Sequence, residues 1–61
     1  MKNAVHQIVL QAKSGEEWLD IDTFATNNRY MPTKEQLRQI NALKYEIQTE
    51  TRIIRRKEIV K

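Results

Sequence analysis

Apolar residues change their spacing along the chain, and each spacing predicts a different element. Residues 5–12 (VHQIVLQA) and 17–24 (EWLDIDTF) are β-rich runs flanking Lys13-Ser14-Gly15-Glu16. With Ser14 and Gly15 as a two-residue turn, Gly15 supplies the positive φ that such turns demand. That register sets Ile8 opposite Ile21 and Leu10 opposite Leu19 on one side of the hairpin. The other side carries Lys13 beside Glu16, Gln11 beside Trp18, Val9 beside Asp20 and Val5 beside Phe24. A slip of one residue would scramble both faces, so the pattern predicts a hairpin over about 5–24.

After a connection through Ala25, Thr26, Asn27, Asn28, Arg29, Tyr30, Met31 and Pro32, the spacing lengthens. Leu37, Ile40, Leu43 and Ile47 recur at three and four residues, with only Lys44 off-type. Thr33 stands as an N-cap with Gln36 three residues later, as a capping box requires, and Glu35 suits the positive end of the helix dipole. An amphipathic helix over about 33–48 follows. From Thr49 onwards Thr51, Ile53, Ile54, Ile59 and Val60 favour a strand over about 50–60. The rival is one long helix, since Ile40, Ile47 and Ile54 are spaced by a heptad, but that seam meets Glu50 and Lys57 where it needs apolar residues. The expected fold is α+β, in the order β-β-α-β. Two layers are formed by a three-stranded antiparallel sheet, with the first strand central, and one helix on one face.

At 61 residues the chain is expected to form a single domain, residues 1–61. A core this small supplies roughly 3–5 kcal/mol and usually needs a staple. The chain has no cysteine, which excludes disulfides and thiolate metal cages. Self-association, as a homodimer, is the expected supplement. No apolar run reaches the ~20 residues of a membrane span, and MKNAVHQIVLQAK is too short and polar for a signal peptide. The expected location is the cytoplasm.

Conventional catalysis finds little here. His6 is the one histidine and shares a strand face with Ile8 and Leu10, away from Asp20 and Asp22. Those two acids, two apart on a strand, share the opposite face, and nothing nearby completes a hard-cation site. No enzyme activity, cofactor or metal is expected.

Binding is better served. Val5, Val9, Trp18 and Phe24 fall on the face turned away from Leu19 and Ile21. If the helix covers the other face, they form an exposed partner or dimer interface. Otherwise Trp18 lies over the stems of Gln11 and Lys13, or the helix covers this side. Arg29, Tyr30 and Met31 have the composition of a recognition loop, though Tyr30 and Met31 equally suit a plug at the helix entry. Net charge is +3, spread unevenly: −2 over residues 1–24, +1 over 25–51 and +4 over 52–61. Arg52, Arg55, Arg56 and Lys57 could touch phosphates or an acidic partner, or simply protect an edge strand. On a strand Arg52 and Arg56 share one face and Arg55 and Lys57 the other, which halves the charge any one groove can meet.

The order of elements, carried by Glu17-Trp18-Leu19-Asp20-Ile21, the Thr33-capped helix and Thr51-Arg52-Ile53-Ile54-Arg55-Arg56, resembles that of small accessory proteins of tailed phages and prophages. Inhibitors of host uracil-DNA glycosylase and other anti-defence proteins are among them, several of them homodimers. The resemblance implies a stoichiometric inhibitor of a bacterial defence or nucleic-acid enzyme, acting in the host cytoplasm. Glycosylase inhibitors imitate DNA with acidic surfaces, whereas this chain is basic, so a different host target is implied. The alternative is a small basic nucleic-acid-binding accessory protein.

Overall fold

A computed structural model describes residues 3–60, with side chains from 4 to 59. The elements are β1 (Asn3–Ser14), β2 (Glu17–Thr26), α1 (Lys34–Glu46) and β3 (Thr51–Val60). The sheet order is β2-β1-β3, with both pairings antiparallel. The expected α+β arrangement, with one helix and a central first strand, is thus the observed one, and the stretch after the helix is strand.

The hairpin register differs from the expected one. Ser14 pairs with Glu17, so Gly15 and Glu16 form the turn, with Gly15 at φ 63°. Glycine with positive φ in the first central place is what a II′ turn asks for, and it leaves Glu16 an ordinary backbone. Lys13 therefore faces Trp18, Ala12 faces Leu19 and Gln11 faces Asp20. A second departure follows at once. The register slips between Gln11↔Asp20 and Leu10↔Asp22, leaving Ile21 as the extra residue of a β-bulge. Beyond it every β2 side chain changes face, so Phe24 lies opposite Ile8 on the helix side rather than on the outer side with Val5. Asp20 and Asp22 are likewise parted by the bulge.

Ile8, Leu10, Phe24 and Ile40 form the core, with Tyr30, Leu43 and Ile47 packed around it. Leu19 and Ile21, expected there, are exposed at 49% and 42%. The first lies near the turn and the second is the bulge residue. Thr33 caps α1 as expected: its hydroxyl accepts from the Gln36 amide at 3.1 Å, and Gln36 Oε1 accepts from the Thr33 amide at 2.9 Å. The helix stops at Glu46, with Ile47 as an extended C-cap, slightly short of its expected end. Gln36 Nε2 also donates to the Ala25 carbonyl at 2.7 Å, which moors the start of α1 beside β2.

Candidate interaction surfaces

The face away from α1 is closed by a polar lattice rather than left apolar. Gln11, on the central strand, is buried, and Nε2 donates to Asp20 Oδ1 at 2.7 Å. Its Oε1 accepts from Arg52 Nε at 2.7 Å, and the Arg52 guanidinium sits 4.3 Å from the centre of the Trp18 ring. Arg56 Nη1 donates to Asp20 Oδ2 at 3.1 Å. Since Gln11 is opposite Asp20 and Gln7 is opposite Arg56, that ion pair runs diagonally across the central strand at the level of Val9. Both arginines thus reach from β3 over β1 to β2. Beneath them Val9 is fully buried, at 0% exposure. The Gln11 hydrogen bond foremost, and then Arg56, hold the Asp20 carboxyl below its ordinary value of 3.8.

Val5, Val9 and Trp18 keep the face away from α1 that the sequence assigns them, but this lattice covers that face. Val9 is sealed, Trp18 is half-buried under Arg52, and Val5 is half-buried opposite Glu58. Phe24 belongs to the core beneath α1. The four do not form a continuous exposed patch. In the loop, Arg29 and Met31 are exposed, while Tyr30 turns inward as the plug, its ring edge-on to His6 at 5.3 Å and 5.5 Å from Arg55. Asn27 Oδ1 holds the loop by accepting from the amides of Arg29 and Met31. Of the basic cluster, Arg52 and Arg56 occupy the open face and Arg55 and Lys57 the helix side, the split that alternation requires. Lys61, counted in the basic run, lies outside the described residues.

On the helix side the cover is partial. An α-helix about 10 Å across spans little more than two strands spaced about 4.8 Å apart. Here α1 sits toward β2, moored at Ala25, and a shallow depression of about 360 Å³ between them is lined by Asp22, Gln39, Ala42, Leu43 and Glu46. The β3 flank of the same face is left bare: Ile53 is 46% and Ile59 58% exposed, with Arg55 and Lys57 between them. Sequence reasoning passed over Ile53 and Ile59 as strand formers. The signal that could have found them is their shared parity with Arg55 and Lys57, combined with the width of a single helix.

Among the described residues no group of three or more His, Cys, Asp or Glu could hold a metal ion, and no helix is long and apolar enough to cross a membrane. Comparison with protein-family models, with curated proteins and with solved structures finds no match to this chain.

Proposed function

We propose that this chain is a non-enzymatic protein-binding module that acts stoichiometrically through the bare half of β3. One observation carries the reading: an edge strand exposes Ile53 and Ile59 with two cations between them, on the face that α1 leaves half covered. Exposed apolar groups beside charge are the usual make-up of a contact surface. The resemblance to small phage-type inhibitors supplies the class of target, a bacterial defence or nucleic-acid enzyme, and the charge of β3 supplies its chemistry, an acidic surface. Phosphate binding is less well served. Arg52 and Arg56 are drawn over the open face by Gln11, Trp18 and Asp20, and only Arg55 and Lys57 remain on the bare flank.

Capture from nuclease-treated bacterial lysate tests this. The parent chain should retain a protein in stoichiometric amount, and Ile53→Asp with Ile59→Asp should release it. Retention of nucleic acid alone, abolished by the nuclease, would favour the accessory nucleic-acid reading instead.

A further inference from the structure

We propose that β3 is a strand-addition edge that takes an extended acidic segment of a partner protein. This rests on the protein-binding reading above and gives it a site and a recognition pattern. The two edges of the sheet are built differently. On β2 the edge is broken by the bulge at Ile21, carries Glu17, Asp20 and Asp22, and has the Ala25 carbonyl occupied by Gln36. Bulges, charge and covering groups are how proteins blunt an edge. On β3 the register with β1 runs without a slip from Ala12↔Thr51 to Asn3↔Val60, with neither proline nor bulge.

The backbone groups that this edge offers can be named. The Lys13 amide donates to the Glu50 carbonyl at 2.9 Å, one step beyond the Ala12↔Thr51 pair, which makes Lys13 and Glu50 a hydrogen-bonded pair. In an antiparallel ladder bonded and non-bonded pairs alternate. Arg52, Ile54, Arg56 and Glu58 therefore bond to β1. Thr51, Ile53, Arg55, Lys57 and Ile59 turn their N–H and C=O groups outward. The residues with outward backbone are the ones whose side chains lie on the bare flank. A strand added here finds a ladder and, on the helix side, Ile–x–cation–x–cation–x–Ile.

Charge decides the occupant. A second copy pairing antiparallel about a two-fold axis sets like charges opposite one another in every long register. Centred on Ile54 it opposes Arg52 to Arg56; centred on Arg55, Arg56 or Lys57 it opposes that residue to itself. The β2 strand of a second copy does contain Trp18-x-Asp20-x-Asp22-x-Phe24, but its bulge throws the two acids to opposite faces and Phe24 is in the core. The fitting segment reads apolar–x–acidic–x–acidic–x–apolar, a pattern that is the same in either chain direction. Backbone bonds supply affinity and the alternate side chains supply selection.

The test is fluorescence anisotropy of a labelled peptide in which Ile, Glu, Glu and Ile alternate with Thr, titrated with the full chain at about 150 mM salt. Saturable binding is expected, and the same peptide with Lys in place of Glu should bind about tenfold or more weakly. Lys57→Pro removes an outward N–H without touching the β1 ladder, and should cost about tenfold or more. Lys57→Ala, which removes charge alone, should cost about two- to fivefold. Two peptides N-methylated on alternate residues keep the test valid if the proline variant does not fold. One set of methyl groups should abolish binding to the parent chain, and the other should not. Equal binding of both methylated peptides, or of the Lys peptide, would overturn strand addition. So would an oligonucleotide that outcompetes the peptide, or sedimentation showing a dimer that Lys57→Pro dissociates. Failure of the peptide while lysate capture still depends on Ile53 and Ile59 removes this inference alone; failure of both removes the protein-binding reading too.

Discussion

Tyr30 stands with its backbone at φ 57°, in the left-handed region that costs an ordinary residue about 1–2 kcal/mol. It is kept there by the hydrogen bond its backbone amide donates to the Asn27 carbonyl at 3.0 Å and by the packing of its ring against the core and His6. Replacing it separates the two contributions. Tyr30→Ala and Tyr30→Gly both lose the ring and should be less stable than the parent. The glycine variant, though, should be the more stable of the two by about 1 kcal/mol, the reverse of the usual order in regular structure. Urea denaturation of the pair measures this, and an alanine variant at or above glycine would refute the strain. Asp20 offers a second test at this scale. Its folded-state pKa lies below the ordinary 3.8, so its contribution is complete above that value and is lost as the pH falls through the lower folded one. The stability gap between the parent and Asp20→Asn should therefore stay constant from neutral pH down to mild acid and then narrow below 3.8. A gap that widens in acid would mean that the carboxylate is not stabilised in the fold.

Between elements, the bulge in β2 decides which side chains make the core. Deleting Ile21 should remove the bulge while leaving Leu10 opposite Asp22 and Ile8 opposite Phe24, so Phe24 stays beneath α1 and stability should change by less than about 1 kcal/mol. Circular dichroism and thermal melting read the outcome; a loss of about 3–5 kcal/mol, as for truncating a buried aromatic, would show that Ile21 is not a surplus residue. This is also where the sequence stops being legible. The helix carried its own start signal at Thr33 and Gln36, and β3 its β-branched run, so both were readable from neighbours in the chain. Leu19 to Phe24 reads as an uninterrupted strand, and nothing local marks Ile21 as surplus. Only the demand for Phe24 beneath α1 does, and that demand arises from residues far along the chain. The same division holds for the site. The parity split of Arg52 and Arg56 from Arg55 and Lys57 was readable because β3 never slips. Their destinations were not, because Gln11 and Asp20 meet only in the true register.

Taken whole, the molecule is a thin plate, 42 × 28 × 14 Å, whose central strand comes first in the described order and gains its second neighbour last. The hairpin closes across a two-residue turn, whereas the β1–β3 ladder joins residues 3–12 to residues 51–60. Joining distant segments is slow, because the entropy of closing the intervening loop is lost before the contacts form. Gly15→Ala, which meets no atom within 4 Å but strains the φ 63° turn, should therefore chiefly slow folding. Ile54→Ala, opposite Val9 on β3, should chiefly hasten unfolding. Stopped-flow chevrons distinguish the two, and a Gly15→Ala effect confined to the unfolding limb would refute this order of events. Until β3 arrives, β1 is itself an outermost strand, with Val9 and Gln11 unroofed and its pairing groups open to any other chain. The risk of misassembly is thus concentrated in an interval of refolding, on the strand that ends as the most protected. Recovery of soluble protein after denaturation should fall with chain concentration more steeply than with temperature.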